Sequence, residues 1–474
     1  EIHRVSKSLL KRKDGFVLLA QYHQLITNGI LQGSNAVEPS FVREGLLEPD
    51  TSSQIISFAL DSMFRRARPS TDPKQDFDKA ARWARSNLGL ISTPIKCPDH
   101  CVRVIHVQVT PLKVVVGGEY IEQSNRVLRH FCTHTDQFMR VSFVDEDLGS
   151  IYGDDPQWMI FAQKRLRHVL EAGIRVPGLQ HTYRFLGCSS SQLRTNASWF
   201  FASSSRLSLE DVERFLGDFS GIDTPGKYVK AQGLPFSSTR SGIHVPMEQV
   251  LVEADVTRPI DPDFPQKGTY EFTDGCGVIH PSLMSEIWEA EHLADKPCAI
   301  QFRHAGDKGM LLMVDEQTFR QRYPHPIRMV LRKSQRKFTA DHHQLEYCDH
   351  SRFLPENLNR EIIMMLDTRG IPHQMFVAIL KDNLRDGLNA LRHKGAALRL
   401  IQRIGTQHSF RKTIVQALQM GFCPSDDPFL RSCIRAALRY MHKDVRIKTH
   451  LYIHVHIHTH KHTRTISQPS QRYV

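Results

Sequence analysis

The apolar residues in the first half of the chain recur at several places with the spacing of amphipathic helices. This spacing is found over three stretches, residues 52–64, 76–90 and 157–172. Gly173 follows the last of them, and glycine is typical just beyond a helix C-terminus because it adopts positive φ without strain. Ser208 and Asp211 have the spacing of a capping box, with Asp in the acidic position, and predict a helix that runs through Phe215.

Elsewhere the apolar pattern is that of β-strands. Residues 102–116 are rich in β-branched residues, and Thr110-Pro111 interrupts them. They predict two strands, the second of which ends at Gly117-Gly118. Short β-type runs separated by turn residues continue over 250–316, so the centre of the chain is predicted to be rich in strands.

Beyond about residue 355 the pattern becomes helical again. The stretch PENLNREIIMMLDTRG (355–370) predicts an amphipathic helix with a proline near its start and Gly370 at its end. Three further helical stretches follow, QMFVAILKDNLRDGLNALRHKGAALRLIQRI, FRKTIVQALQM and FLRSCIRAALRYM. A β-rich centre is therefore followed by an all-helical segment.

Residues 444–474 break this pattern, because His alternates with other residues across 450–462. One interpretation is a strand with a face of His side chains that binds metal. The interpretation we favour is an aberrant, disordered tail that reflects translation of a CA-rich repetitive DNA, which encodes His, Thr, Ile and Lys. The natural protein would then continue differently after residue 443.

The composition is that of a globular protein, and the net charge is its most informative feature. With 474 residues, 40% hydrophobic and 24% charged, the chain has the length of two to four domains. Its formal net charge of +12 favours a polyanionic partner, such as nucleic acid or an anionic membrane surface. No run of 18 apolar residues predicts a transmembrane helix, and the first residues lack the apolar core of a signal peptide.

The nine cysteines are mostly isolated and odd in number, which suits reduced thiols in the cytoplasm or nucleus. Cys97 and Cys101 are the one close pair. Together with His100 and His106 they could bind zinc, although no second pair follows at the spacing of a zinc finger. The alternative is a turn before a strand.

Seven short motifs occur in one order between about residues 100 and 440. They are SNRVLR (124–129) with FMRVSFVDED (138–147); FLGCSSSQLR (185–194) with WFF (199–201); LGDF (216–219) with KY (227–228) and QGLPFSST (232–239); FTDGCG (272–277); QFRHAGDKG (301–309); LRKSQRKF (331–338); and FLPENLNR (353–360). One such motif is unspecific. The ordered set closely resembles the eukaryotic cellular RNA-dependent RNA polymerases, the enzymes of RNA silencing.

The resemblance implies an α+β fold in which a β-rich slab leads into the first of two double-psi β-barrels. A helical segment then connects toward the second barrel. The domains expected on this basis are a mixed N-terminal region (1–100), a slab-like region (101–244), the first double-psi β-barrel (245–345), a helical connection (346–443) and the tail (444–474).

The resemblance also implies an RNA-directed RNA polymerase, a nucleotidyltransferase that copies single-stranded RNA into double-stranded RNA in silencing. Its partners would be a single-stranded RNA template, nucleoside triphosphates and other silencing proteins, with no membrane, and its location the cytoplasm or nucleus. One alternative is a non-catalytic RNA-binding fragment built from the slab and first barrel. Another is a metal-binding scaffold that uses the His-rich tail.

The family is expected to use Mg²⁺, because two-metal nucleotidyl transfer needs clustered carboxylates. An Asp-x-Asp-Gly-Asp loop on the second barrel would supply them, and the sequence lacks it. The acidic runs at 145–147, 154–155 and 261–263 have no Gly-Asp ending. We therefore expect no catalytic or metal-binding residue in this chain, a truncation before that loop, and poor solubility, because a first barrel without its partner exposes apolar surface.

The resemblance assigns nucleotide phosphate binding to Lys308, in a Gly-Asp-Lys-Gly turn, and to Lys337, in Ser-Gln-Arg-Lys-Phe. Their charge would neutralise the developing pyrophosphate. Arg303 and Arg336 are candidates for RNA or phosphate contact. The alternative for all four is a solvated surface cation. Asp274, in the FTDGCG motif, is expected to be structural or to line the phosphate path rather than to hold a metal.

Three other groups leave alternatives open. The basic residues within 125–129 and Arg140 could contact RNA or could form ion pairs with the acidic run 145–147. The serine-rich loop 189–194 is expected to pack. The aromatic residues 199–201 could stack on bases but are expected in the core.

Overall fold

A computed structural model describes residues 1–12, 14–91, 97–98, 100–149, 151, 156–176, 181–264, 266, 268–352, 357–403, 409–448 and 451–452. The chain divides into two compact units, Glu1–Ser351 and Arg352–Val474. Both helices and sheets are prominent, and they segregate along the chain, so the predicted α+β class is confirmed.

The elements of the described residues are numbered here in chain order. The helices are α1 (Ile2–Leu9), α2 (Gly15–Thr27), α3 (Pro39–Phe41), α4 (Ser53–Arg65), α5 (Pro73–Ser86), α6 (Arg126–His130), α7 (Pro156–Ala172), α8 (Ser190–Arg194), α9 (Leu209–Leu216), α10 (Pro225–Gln232), α11 (Pro281–Ala290), α12 (Glu316–Arg322), α13 (Arg360–Thr368), α14 (His373–Asn389), α15 (Lys394–Arg403), α16 (Ser409–Gln419) and α17 (Pro428–Lys448). The strands are β1 (Cys101–Val109), β2 (Val114–Gln123), β3 (Phe138–Phe143), β4 (Ile174–Arg175), β5 (Thr182–Gly187), β6 (Ala197–Phe201), β7 (Arg240–His244), β8 (Val250–Glu253), β9 (Thr257–Pro259), β10 (Thr269–Glu271), β11 (Cys276–Ile279), β12 (Ala299–His304), β13 (Asp307–Met313), β14 (Met329–Arg332), β15 (Gln344–His350), β16 (Asn357–Leu358) and β17 (Leu451–Tyr452).

Helices α1 to α5 form a layer with its own hydrophobic core, in which the large buried side chains include Leu18, Phe41, Ile56, Leu60 and Phe77. The side chains of Ser52 and Asp72 accept hydrogen bonds from the first turns of α4 and α5 and so fix where these helices begin. Because of the Asp72 cap, α5 covers Pro73–Ser86 rather than the predicted 76–90.

Two other predicted helix signals are confirmed. Helix α7 ends at Ala172, and Gly173 follows with φ +82°. At the start of α9 the Ser208 hydroxyl accepts from the Asp211 amide at 3.2 Å, and the Asp211 carboxylate accepts from the Ser208 amide at 3.0 Å. This reciprocal pair is the capping box that the sequence predicts.

A six-stranded sheet in the order β2-β1-β3-β6-β5-β4 fills the region after the helical layer. Strands β1 and β3 are parallel, and the other pairs are antiparallel. The expectation that the second strand ends at Gly117-Gly118 is wrong. Strand β2 continues to Gln123, because a register shift opposite Ile105 and Val107 accommodates Gly118 at φ +80° as a bulge within the strand.

A seven-stranded sheet in the order β7-β15-β12-β13-β11-β14-β8 follows, and its strands lie between Arg240 and His350. Two of its pairings, β11 with β13 and β14 with β8, are parallel. Its core includes the buried side chains of Ile300, Phe302, Leu311, Met329 and Leu331. The sheet overlaps the residues predicted to form the first double-psi β-barrel (245–345), and that barrel stays a prediction.

The second unit is mainly helical, but the short strands β16 and β17 pair within it, which the predicted all-helical segment did not include. Helix α13 begins at Arg360 because the Asn359 side chain accepts from the Ile362 amide at 2.8 Å, and Gly370 follows its end at φ +90°. Pro355 lies outside the described residues. Helix α17 runs through Lys448, so the predicted boundary at 444 falls within a helix, and residues 453–474 lie outside the described chain.

None of the described helices combines the length and the apolar composition that a membrane crossing requires.

Candidate functional site

The hairpin of β12 and β13 brings a tight turn against a later part of the chain. Its two turn residues, Ala305 and Gly306, have φ of +45° and +93°, as a two-residue hairpin turn of this hand requires. A Cβ on Gly306 would lie 2.1 Å from the Phe338 carbonyl oxygen. The Gly306 carbonyl accepts from the Lys337 amide at 3.1 Å. The glycine thus allows the turn to hold the backbone that carries Lys337.

Gln335 fixes the segment that follows β14. Its side chain is buried, and its Oε1 accepts from the Arg332 amide at 2.7 Å. Its Nε2 donates to the Gly275 carbonyl at 3.2 Å and to the Met310 carbonyl at 3.1 Å. One side chain therefore joins β13, β14 and the turn before β11, just before Arg336 and Lys337.

The four cations proposed from the sequence, Arg303, Lys308, Arg336 and Lys337, lie in this one region and are called the cation cluster below. Arg303 and Lys308 are direct cross-strand partners in β12 and β13. Burial lowers the pKa of Lys308, and the charges of Arg303 and Lys337 lower it further. Burial is the largest cause, so the lowered pKa indicates an ammonium partly removed from water, and Glu346, the partner of Arg303 in β15, is itself paired with Arg129.

Arg336 differs from the other three because it has a buried acidic partner. Its Nε and Nη2 donate to the two carboxylate oxygens of Asp307 at 2.6 and 3.1 Å. Burial raises the pKa of Asp307, and the Arg336 contact acts in the opposite direction. This pairing makes Arg336 a support for the cluster rather than a free anion-binding group.

The remaining cations make only backbone contacts within the described chain. Arg303 donates from Nη1 to the Phe302 carbonyl at 2.7 Å, and its Nε is buried without a partner among the described residues. The exposed Lys337 donates from Nζ to the Ser334 carbonyl. Arg303, Lys308 and Lys337 are therefore positive charges that an anion could neutralise.

Asp274 is exposed in the turn between β10 and β11. The acidic residue that organises this turn is instead Asp255, which the sequence analysis did not single out. Asp255 accepts from the Ser334 amide at 2.9 Å, the Ser334 hydroxyl at 2.7 Å and the Thr273 hydroxyl at 3.0 Å. Burial alone would raise the pKa of Asp255, but these hydrogen bonds lower it below its ordinary value.

The basic residues of the predicted slab-like region (101–244) form contacts within the protein. Arg129 forms an ion pair of 2.5 Å with the buried Glu346, and Arg140 contacts Glu122 at 3.2 Å and lies over the Trp199 ring at 5.4 Å. Arg126 is buried and donates to the Leu216 carbonyl, and burial lowers its pKa to about 10. The acidic run 145–147 is not their partner in these contacts.

The expected packing roles of two other motifs are confirmed. Trp199, Phe200 and Phe201 are buried in β6. Ser189 forms a reciprocal capping box with Gln192 at the start of the short helix α8. These side chains stabilise the first sheet and do not form a base-stacking surface.

The Cys97 region forms a turn that leads into β1, since the Cys101 amide donates to the Pro98 carbonyl at 2.8 Å. The His106 ring contacts the Ser142 hydroxyl at 2.9 Å, and burial lowers its pKa to about 4. In the part of the chain that the structure describes, no three His, Cys, Asp or Glu side chains are arranged to hold a metal ion.

Comparison with known proteins places this geometry in context. The profile of the family described as "RNA dependent RNA polymerase" matches residues 109–457. RNA-dependent RNA polymerase 1 of Arabidopsis thaliana is 30% identical over 449 residues, which are 92% of this chain and 39% of that protein. RNA-dependent RNA polymerase 2 of the same plant is 31% identical over 338 residues, which are 69% of this chain and 28% of that protein. The chain thus spans well under half the length of these relatives.

Among solved structures, the RNA dependent RNA polymerase QDE-1 from Thielavia terrestris is similar, with a TM-score of 0.51 at 16% sequence identity. The similarity covers 80% of this chain and 44% of that one. At this identity the likeness concerns the fold alone.

Proposed function

The chain belongs to the RNA-dependent RNA polymerase family, and on this premise we propose that it forms the part of an RNA-directed RNA polymerase that holds the incoming nucleotide. The family match over residues 109–457 supports this assignment and agrees with the order of the seven motifs. The polymerase would copy single-stranded RNA into double-stranded RNA in RNA silencing, with nucleoside triphosphates as the second substrate. Other silencing proteins would be its partners in the cytoplasm or nucleus.

The architecture proposed for this enzyme assigns a role to each region. The six-stranded sheet is the slab, the seven-stranded sheet is the first double-psi β-barrel, and helices α13 to α17 are the connection toward a second barrel. The mixture of parallel and antiparallel pairings in the seven-stranded sheet supports the barrel proposal. The fold likeness to QDE-1 over 80% of this chain supports an architecture of this kind.

The observation that carries the nucleotide-binding role is that Lys308 lies directly opposite Arg303 and has no carboxylate partner among the described residues. Burial and the charges of Arg303 and Lys337 lower the pKa of Lys308. A bound triphosphate would supply the negative charge that this lysine lacks. Lys337 would bind the same phosphates from the adjacent segment, and Arg303 would add charge beneath them. Arg336, held by Asp307, would keep that segment in place. Charge-assisted hydrogen bonds to phosphate are among the stronger polar contacts in proteins.

The metal that such a polymerase uses is expected to be Mg²⁺, which supplies charge stabilisation to nucleotidyl transfer when it is bound. The described residues do not fit it, because they contain no cluster of three ligating side chains. Asp274 and Asp255 do not form one, since Asp274 is exposed and the carboxylate of Asp255 accepts hydrogen bonds from Ser334 and Thr273. We therefore propose that the carboxylates come from outside the described residues.

The second candidate function is RNA binding without nucleotide transfer, and the absence of an Asp-x-Asp-Gly-Asp sequence favours it for this chain by itself. The two functions are separated by an incorporation assay with labelled nucleotide, Mg²⁺ and a single-stranded RNA template, run beside a binding assay. Incorporation by the 474-residue chain would establish the polymerase. Binding of RNA and triphosphate without incorporation is the outcome that the non-catalytic alternative predicts.

A competition assay tests phosphate binding whether or not the chain incorporates nucleotide. We expect the four nucleoside triphosphates and inorganic pyrophosphate to compete with one another, because the cluster would contact phosphates and not bases. Unphosphorylated nucleosides should not compete. If adenosine displaced labelled ATP as effectively as pyrophosphate displaces it, the proposed role of the cation cluster in phosphate binding would be wrong.

A further inference from the structure

Strands β9 and β10 form a two-stranded ribbon, called the β9–β10 ribbon below, that leaves both of its faces exposed. Every residue of the two strands is exposed. In their antiparallel register Arg258 is opposite Tyr270, and Glu271 is opposite Thr257. Direct cross-strand partners project from the same face. The ribbon therefore has an Arg258–Tyr270 face and a Thr257–Glu271 face.

The first of these faces combines aromatic, aliphatic and basic side chains, and it is called the stacking face below. Alternation along each strand adds Val256 and Ile260 on the side of Arg258 and Phe272 on the side of Tyr270. Tyr270 is 57% exposed and Phe272 is 62% exposed. Their ring centroids are 6.5 Å apart, and the Arg258 guanidinium carbon lies 5.8 Å from the Phe272 centroid.

The opposite face has a different chemistry. It carries Thr257, Pro259, Thr269 and the acidic Glu271, and none of these is aromatic. Among the described residues Arg258 has no ion pair, and its guanidinium contacts the Phe272 ring. Positive charge and aromatic rings are thus on one face, and the ribbon's acidic strand residue is on the other.

The base of the ribbon is tied to the cation cluster. The Phe272 amide donates to the Val256 carbonyl at 2.8 Å, and the Val256 amide donates to the Thr273 hydroxyl at 2.9 Å. Asp255, the residue before Val256, accepts both the amide and the hydroxyl of Ser334. The Ser334 carbonyl in turn accepts from Lys337 Nζ. The hydrogen bonds from Ser334 to Asp255 and from Lys337 to Ser334 therefore connect the base of the ribbon to Lys337.

We propose that the stacking face of the β9–β10 ribbon binds the bases of single-stranded RNA, with the Arg258 guanidinium beside the RNA phosphates. This rests on the proposed function, which it extends from nucleotide to RNA strand. Exposed rings with an adjacent arginine suit bases of any sequence, because every base has a π-face. A protein partner is less favoured, since a guanidinium at the centre of the face suits a polyanion better than an apolar surface.

The test uses fluorescence anisotropy of the 474-residue chain with two labelled probes of equal length and charge. One is oligouridine, and the other is the same ribose-phosphate chain without bases. Only the first can stack, whereas both present the same phosphates. We expect the wild-type chain to bind oligouridine about ten-fold more tightly or better, as the loss of stacked bases predicts. Raising the salt concentration should weaken both complexes.

The decisive variant is Tyr270→Ala/Phe272→Ala, with Thr257→Ala/Thr269→Ala on the opposite face as the matched control. The first should lose most of the preference for oligouridine and keep its affinity for the base-free probe. The control should behave as wild type. Tyr270→Leu/Phe272→Leu should also lose the preference, because leucine keeps apolar surface without an aromatic face. Equal thermal melting of all variants would confirm that each is folded.

Two results would overturn the proposal. One is a Tyr270→Ala/Phe272→Ala variant that still binds oligouridine more tightly than the base-free probe. The other is a wild-type chain that binds both probes equally but dimerises in sedimentation, with the alanine variant monomeric, since the face would then contact a second copy. Failure of the proposed function looks different. Lys308→Ala and Lys337→Ala would leave triphosphate affinity unchanged while the oligouridine preference persisted.

Discussion

Arg303 and Lys308 lie directly opposite each other in the antiparallel register of β12 and β13, so two like charges are held side by side. Such a pair is unfavourable across two strands unless something offsets the charge. Asp307 in the hairpin is already paired with Arg336, and Glu346, the partner of Arg303 in β15, is paired with Arg129. The fold therefore maintains local positive charge that a bound phosphate would relieve.

The lowered pKa of Lys308 predicts how phosphate binding depends on pH. Lys308 binds an anion when protonated, so affinity for triphosphate should be highest below its pKa and should fall as pH rises through that lowered value. Lys308→Arg should remove this fall, because arginine stays protonated. Titrations above about pH 7.5, where phosphate monoesters are fully ionised, provide the measurement. An identical alkaline fall in Lys308→Arg would assign the titration to another group.

The close approach of the β12–β13 turn to the next segment predicts the effect of Gly306→Ala. Gly306 has φ +93°, and an added Cβ would lie 2.1 Å from the Phe338 carbonyl oxygen. The substitution should lower the melting temperature and weaken triphosphate binding without changing any charge, because the backbone carrying Lys337 must move. Gly226→Ala is the control, since its Cβ would meet nothing within 4 Å. Unchanged melting and affinity in Gly306→Ala would refute this view of the turn.

The ion pair between Arg129 and Glu346 predicts a strong effect on stability. Glu346 is buried, and it also accepts from the Thr239 hydroxyl at 2.8 Å and contacts His342 Nε2 at 3.3 Å. Breaking a buried pair by removing one partner typically costs about 3–5 kcal/mol. We expect Glu346→Gln to destabilise the chain by about that amount in chemical unfolding. The double variant Arg129→Met/Glu346→Leu should recover much of the loss, and a double variant as unstable as Glu346→Gln would contradict this.

The lowered pKa of Glu346 predicts how the free energy of unfolding changes at acid pH. Burial alone would raise the pKa of Glu346, but the hydrogen bond from His342 and the charge of Arg129 lower it overall. A depressed folded-state pKa stabilises the protein above the unfolded value and is lost as pH falls through the folded one. Unfolding free energy measured on the acid side should therefore decrease less steeply in Glu346→Gln than in wild type.

Lys337 has a predicted role in catalysis that depends on the complete enzyme. In a complete polymerase, Lys337→Ala should lower nucleotide incorporation, because a phosphate-binding charge is lost. RNA binding should stay near wild type, since many other contacts hold the strand. Incorporation and filter-binding assays on the same preparations measure the two quantities. Unchanged incorporation would show that Lys337 does not contact the nucleotide.

Local signals were sufficient to predict many elements but not the contacts that arrange the site. The capping box at Ser208 and the glycine after α7 involve neighbours in sequence, and both predictions hold. The partner of Arg129 is 217 positions away, and no periodicity indicates it. The bulge at Gly118 was missed because the extra residue fits only against the register of β1. Asp255 and Gln335 were missed for the same reason, since their partners Ser334 and Gly275 are about 60 to 80 positions away in the sequence.

The cation cluster could be proposed from motifs, but its internal differences could not. In the sequence, its four members are equivalent positive charges that lie in two neighbouring motifs, 301–309 and 331–338. Only the fold shows that Asp307 neutralises Arg336 and that Arg303 faces Lys308. The stacking face was likewise hidden, because its exposure depends on a ribbon that no other strand covers.

The central claim is that Lys308 and Lys337 bind nucleotide phosphates, and titration with a fluorescent nucleoside triphosphate tests it most directly. Loss of one charge-assisted hydrogen bond should weaken binding about ten-fold or more in Lys308→Ala and in Lys337→Ala. Lys230→Ala, an exposed lysine of α10, should bind as wild type. Equal affinity in all four proteins would contradict the account.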